Sequence, residues 1–278
     1  MIIVGADGSR TGLEAVGWAA AEAELRNSPL TIAYAVPKWV SEDTAVQHYA
    51  EVARWMRDGA HSVLDAARDR ARREWPQVLV EGMLVPGDPR SALIRMSEGG
   101  ALLVVGSRGI GGVRGLLVGS VAHGVAAHAR TDVVLVHETP ASPRGEIVAG
   151  ADGSPGAERA LEFAFTEAAL RGARVRAVRA WAWPQAGGFE AASPERERDT
   201  VGALEESLAE HRKRHPGVQV VAEVVRGHPM EVLKEAAVRA DLLVVGSRGH
   251  GQLAGMLIGS ISQALLHHAP CPLAVVRG

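Results

Sequence analysis

The sequence predicts an α/β protein made of two tandem, doubly wound, five-stranded parallel sheets. Three observations carry that prediction. Ordered landmarks recur: Asp-Gly-Ser at Asp7 and at Asp152, then Gly106-Ser-Arg-Gly109 with Gly119-Ser120, matched by Gly246-Ser-Arg-Gly249 with Gly259-Ser260. Their spacing holds, with 13 residues from Gly106 to Gly119 and from Gly246 to Gly259, and 99 from Asp7 to Gly106 against 94 from Asp152 to Gly246. Each copy of Asp-Gly-Ser and of Gly-Ser-Arg-Gly directly follows an apolar run, the pattern of parallel strands covered on both faces. One repeated unit therefore fills the 278 residues, which suffice for two domains with separate cores.

In the first half, Ile2 to Ala6 is a continuous apolar run and reads as the first strand. Leu13 to Leu25 carries apolar positions at helical period and stops short of Pro29; Leu30 to Val36 is the second strand. A long helix over Val46 to Trp75 is halted by Pro76, and Val78 to Val85 follows as the third strand. Arg90 to Ser97 is a helix ending near Gly99, Leu102 to Val105 the fourth strand, Ser120 to Ala129 a helix, and Val133 to Val136 the fifth strand. The second half repeats this, with strands at Ile147 to Ala151, Val175 to Trp181, Val218 to Val225, Leu242 to Val245 and Leu273 to Val276. Between the halves, Pro and small polar residues mark a linker, giving domains 1–138 and 146–278 joined by 139–145. Pro184 to Pro194 reads as a mobile loop, and its counterpart Pro37 to Asp43 as a loop of different composition.

Strand-helix-strand units with right-handed crossovers place ligands beyond the carboxyl ends of strands, where strand order reverses. In the order 3-2-1-4-5, which the sequence alone does not prove, Asp7 and Gly106 are neighbours across that reversal. Phosphate oxygens need several converging donors, and free N–H groups at a helix start supply them with a favourable dipole. Gly106 and Gly109 let the chain turn from the strand, Gly119-Ser120 opens the next helix, and Arg108 and Arg248 add charge. Asp7 and Asp152 would accept from a ribose hydroxyl or hold a phosphate-bound divalent cation. The plainer reading is that these glycines only shape a strand-to-helix connection, and a duplication would copy a structural loop as faithfully as a binding one.

With these motifs the chain resembles the universal stress protein family in its tandem two-domain form, over almost its whole length. The first strand ends in Asp-Gly-Ser, the fourth in Val-Val-Gly-Ser-Arg-Gly, and the Gly-x2-Gly-x9-Gly-Ser signature of ATP-binding members is present twice. Cys271-Pro272 and the residues to Val276 also resemble that family's last strand. The resemblance implies ATP as ligand, with Mg2+ or Mn2+ on the phosphates. Carried over by position, the first site would use Asp7, Val36, Gly106, Arg108, Gly109, Gly119, Ser120 and Val121. The second would use Asp152, Trp181, Gly246, Arg248, Gly249, Gly259, Ser260 and Ile261. Val36 and Trp181 would meet adenine through backbone groups; Trp181 is bulkier than the small aliphatic residue expected there and would stack on the base or block it. Gly99-Gly100-Ala101 stands where the second half has the more family-like Ala240-Asp241. The family's fifth-strand contact implies an intrachain pseudo-dimer, Val133 to Val136 against Leu273 to Val276, open to further homodimerisation and to a protein partner the sequence does not name.

Composition bounds the function. The first 138 residues hold 14 Lys+Arg against 16 Asp+Glu and the remainder 16 against 16, so no basic face for nucleic acid is indicated. The N-terminus lacks the basic start and apolar stretch of a secretory signal, no apolar run approaches a membrane span, and a single Cys271 precludes an intrachain disulfide. A cytoplasmic protein is expected, and richness in Ala, Gly and Arg hints at a high-GC bacterium. Only three lysines occur, Lys38, Lys213 and Lys234, and none follows a Gly-x4-Gly-Lys loop, which excludes P-loop chemistry. An adenylating enzyme fits poorly, because no Ser-Gly-Gly-x-Asp-Ser or His-x-Gly-His segment occurs. His211 and His215, one turn apart, have metal-ligand spacing but lack a third clustered ligand. Cys271 reads as a buried core thiol, the stripe Trp55, Met56, Val63, Leu64 as core of the long helix, and Arg68 to Glu74 as that helix's solvated face. The leading expectation is a regulatory ATP-binding protein. The alternatives are a slow ATPase or autophosphorylating enzyme with Ser120 or Ser260 as acceptor, and an interaction module that binds no nucleotide.

Overall fold

The computed structural model of the chain describes residues 1–41, 49–99, 102–110, 118–137, 142–181, 194–249 and 258–278. The chain divides into two compact units, Met1–Glu138 and Thr139–Gly278. In the first unit the strands are β1 (Ile2–Gly5), β2 (Leu30–Val36), β3 (Val80–Pro86), β4 (Leu102–Gly106) and β5 (Val133–Val136). They pair in parallel in the order β3-β2-β1-β4-β5. The helices are α1 (Arg10–Leu25), α2 (Lys38–Ser41), α3 (Ala50–Glu74), α4 (Pro89–Ser97) and α5 (Ser120–His128). Helices α1 and α3 cover one face, and α4 and α5 the other.

The second unit repeats the plan with β6 (Glu146–Gly150), β7 (Arg174–Trp181), β8 (Val220–Arg226), β9 (Leu242–Gly246) and β10 (Leu273–Val276), ordered β8-β7-β6-β9-β10. Its helices are α6 (Pro155–Arg171), α7 (Pro194–Arg214), α8 (Pro229–Ala237) and α9 (Ser260–His268). The inner strands are apolar on both faces because helices cover both: Ile2, Ile3, Leu102 and Leu103 in one unit, and Ile147, Leu242 and Leu243 in the other, are all but inaccessible. The outer strands β3 and β8 are more open, exposing Glu81 and Met83 in one and Val221 in the other.

Several boundaries differ from expectation for physical reasons. Helix α1 begins at Arg10, ahead of its first apolar residue, because the Ser9 hydroxyl accepts from the Gly12 N–H at 3.0 Å. Val78 and Val218 are held in turns by N–H bonds to the carbonyls of Trp75 and His215, so β3 and β8 start two residues later than their apolar runs. The stretch expected as a loop after β2 contains α2, whose Val40 is buried with Val36 and Ala60 and donates its N–H to the Pro37 carbonyl at 2.9 Å. Residues 42–48, which include the expected start of the long helix, and most of the loop expected over Pro184 to Pro194 lie outside the described residues. So do residues 138–141 of the linker region; beyond them, the backbone N–H groups of Arg144 and Gly145 donate to Asp241 at 2.8 and 2.7 Å.

The core reading of Trp55 is corrected. The buried stripe of α3 is Ala53, Ala60, Leu64, Ala67 and Ala71, and Trp55, about 200° round the helix from Ala53, is 76% exposed. Leu64 is buried as expected, while Met56 and Val63 are half-buried. Nor is Arg68 to Glu74 wholly solvated. Arg68 donates to the Gly82 carbonyl at 3.0 Å, and Arg70 lies over Gly17 between Glu14 and Glu74.

Candidate functional site

In the first unit β1 hands the chain to Asp7 at the point where strand order reverses. One carboxylate oxygen of Asp7 accepts from the Ser9 N–H and the other from the Ile110 N–H, both at 2.9 Å. Asp7 thereby clips the turn before α1 to the glycine loop that follows β4. Thr11 completes the clip by donating its hydroxyl to the Arg108 carbonyl.

The loop glycines are demanded by this closeness. A Cβ on Gly106 would stand 2.7 Å from the Thr11 carbonyl, and one on Gly109 would stand 2.5 Å from the Asp7 carboxylate. Gly119 is different. Its N–H donates to the Ser107 carbonyl at 2.8 Å and it occupies the cap of α5, where a Cβ would find only ordinary contacts at 3.6 Å and beyond. Because Gly119 brings no capping side chain, the first N–H groups of α5 are left open at the positive end of the helix.

These elements enclose a cavity of about 580 Å3. One end is lined by Asp7, Gly106, Arg108, Gly109, Gly119, Ser120 and Val121; the other is mainly apolar, with Ala33, Ala35, Pro89 and Leu93. Val36 does not line it. Alternation along β2 sends its side chain to the opposite face, among Val40 and Ala60, and its carbonyl accepts the Gly87 N–H at 2.7 Å. The β2 contribution comes from Ala33, Tyr34 and Ala35, which the motif comparison missed; alternation back from Val36 points to Ala33 and Ala35, while Tyr34 shares the face of Val36 and packs against its cluster.

The second unit rebuilds the arrangement. Asp152 accepts the Ser154 N–H at 2.9 Å, a Cβ on Gly249 would stand 2.5 Å from its carboxylate, and the Gly259 N–H donates to the Ser247 carbonyl at 2.7 Å. Gly246 packs on Gly156, and α9 starts at Ser260 without a side-chain cap. Arg248 and Ile261 follow Gly246 and Ser260 in the same order as Arg108 and Val121. At the Arg248 carbonyl Gly156 stands where the first unit has Thr11, without its hydroxyl, and packs so closely that a Cβ there would stand 2.2 Å from that oxygen. Trp181 occupies the position of Val36, its carbonyl accepting the Gly227 N–H at 3.2 Å. By alternation it lies on the opposite face of β7 from Val178 and Ala180. Residues 111–117 and 250–257 of the two loops lie outside the described residues.

The remaining candidates take structural places. His211 is buried and stacked on Phe165, its ring nitrogens 3.1 Å from Glu162 and 3.4 Å from Glu158. Burial alone would raise the Glu162 carboxyl, but Arg214, His215 and His211 outweigh it and hold the group below its usual range. Among the described residues no group of three His, Cys, Asp or Glu is arranged to hold a metal ion. Burial pushes the Cys271 thiol up to about 12, which removes it as a nucleophile near neutral pH. No helix among the described residues is long and apolar enough to cross a membrane.

Two doubly wound sheets, each with a glycine loop at its strand reversal and the first with a cavity there, define a tandem α/β protein of the kind that takes ligands at strand ends. The chain belongs to the Universal stress protein family, whose sequence profile matches residues 1–137 and again 144–277. A universal stress protein of Mycobacterium tuberculosis (strain ATCC 25618 / H37Rv) is 36% identical over 289 residues, covering 99% of this chain and 96% of its own length. One from Mycolicibacterium smegmatis (strain ATCC 700084 / mc(2)155) is 33% identical over 285 residues, with the same coverages. Among solved structures, a universal stress protein from Archaeoglobus fulgidus DSM 4304 superposes with a TM-score of 0.75 at 20% identity, over 99% of this chain and 97% of that one, a likeness of fold.

Proposed function

We propose that this chain is a regulatory ATP-binding protein of the cytoplasm, with one nucleotide held by each glycine loop and the bound state read out as a change in conformation or association. The observation that carries the proposal is the first-unit cavity, where an apolar end and an uncapped helix N-terminus face each other across about 580 Å3. An adenine ring suits the Ala33, Ala35, Pro89 and Leu93 end, and phosphates suit the donors of Gly109, Ser120 and Val121 with the charge of Arg108. Asp7 and Asp152 then act first as clips of the loop, with lone pairs left over for a ribose hydroxyl or for Mg2+ or Mn2+ on the phosphates.

The glycine geometry supplies a clean test. Since a Cβ is accommodated at Gly119 and Gly259, the double variant Gly119→Val, Gly259→Val keeps the fold while its branched side chains fill the two cradles. The expected result is native circular dichroism with ATP affinity in calorimetry reduced at least about tenfold, equivalent to about 1.4 kcal/mol. Unchanged affinity in the folded variant would defeat the proposal.

A further inference from the structure

Away from both glycine loops, the second unit holds a cleft of about 880 Å3 at the amino ends of β6, β7 and β8 and beside the last turn of α8. Four arginines line it, Arg144, Arg174, Arg176 and Arg239, together with Glu146 and Glu235. Arg174 grips the buried Glu146 carboxylate at 2.7 and 2.6 Å, and Arg176 is bonded to Glu223, so these two guanidinium planes are fixed in direction. Arg144 donates to the Val238 carbonyl, and Arg239 has no hydrogen-bond or ion-pair partner among the described residues. The acidic groups balance the arginines in number, but three of the four are engaged, Glu146 and Glu223 by arginines and Asp241 by the backbone N–H groups of Arg144 and Gly145, and the fourth, Glu235, is exposed. A guanidinium carries five donors, and most of those on the four side chains have no protein acceptor among the described residues.

The repeat provides an internal control. With β2 aligned on β7 and β3 on β8, the first unit has Pro29, Thr31 and Gly99 where the second has Arg174, Arg176 and Arg239, and Met1 and Met83 in place of Glu146 and Glu223. The same fold therefore forms without the cluster. Exposed ion pairs add little stability and burying Glu146 is costly, so stability does not account for its presence either.

We infer that this cleft binds a compact multivalent oxyanion, a small molecule bearing two or more phosphate or carboxylate groups, at a site separate from the glycine loops. Bidentate guanidinium contacts recognise both groups, and the volume lies within the range of small-molecule sites. The inference does not depend on nucleotide binding. Its test is calorimetric titration of the full chain at low ionic strength with pyrophosphate and, separately, citrate. The same titrations are run on Gly119→Val, Gly259→Val and on that variant with Arg144→Gln, Arg239→Glu added. With the two phosphate cradles filled by the glycine substitutions, one saturable event per chain is expected, and it is weakened at least about tenfold when the arginine substitutions are added to that background, with pyrophosphate or citrate binding more tightly according to the natural group. Both arginines are exposed, so the added substitutions should leave the fold intact. No event in the glycine variant, or one that survives there after the arginine substitutions are added, would overturn the inference.

Discussion

At Gly106 the free space beside the backbone is already taken by the Thr11 carbonyl, 2.7 Å from where a methyl group would sit, whereas at Gly119 the nearest atom is 3.6 Å away. Two glycines of one motif thus serve different ends, the first packing and the second an open cradle. Replacing Gly106 by Ala should destabilise the first unit by roughly 1–3 kcal/mol, the usual cost of overpacking, while Gly119→Ala should change urea stability by less than about 0.5 kcal/mol. Equal effects would contradict this division. Cys271 should resist alkylation in the native protein at pH 8, because burial holds the thiol near 12, and should react fully once denatured. Native-state labelling at a free-thiol rate would contradict it. At this scale the loop glycines and Asp7 were legible, since their spacing recurs. The cavity wall at Ala33 and Ala35 was not, because Ala residues in an apolar strand carry no motif and only pleat parity reveals which ones face the cavity.

At the scale of elements, capping and turn chemistry decide where structure starts. Ser9 sets α1, and the turn bonds from Trp75 and His215 delay β3 and β8, so apolar periodicity located every strand but misplaced some ends. Periodicity also failed to choose a face on α3, where small alanines form the buried stripe and the most hydrophobic-looking residue, Trp55, is exposed. Helices α6 and α7 are joined by Glu162 with Arg214, His211 and His215. Because Arg214, His215 and His211 hold the folded Glu162 carboxyl below its ordinary value, its contribution to stability is complete above that ordinary value and is lost as pH falls through the folded one. Wild type should therefore be more stable than Glu162→Gln at neutral pH, and the difference should shrink in denaturation experiments as the pH falls below the ordinary carboxylate range. A difference independent of pH would show that the carboxylate does not act through its charge.

For the whole molecule, duplication is the organising fact, and it was the easiest feature to read because strands, loops and their order recur together. What duplication did not fix is where the copies have diverged. Gly156 stands where the first unit has Thr11, Trp181 where it has Val36, and the second unit carries an arginine-lined cleft where the first has Pro29, Thr31 and Gly99 at the corresponding positions. The glycine loops and the helix starts they open have been kept in both, which is why two nucleotides per chain are proposed. The most direct measurement is to denature freshly purified protein, separate the released small molecules by chromatography, and quantify adenine nucleotide per chain. Close to two ATP per chain is the predicted result. No nucleotide released, followed by no heat when ATP and Mg2+ are added to the folded protein, would contradict the account.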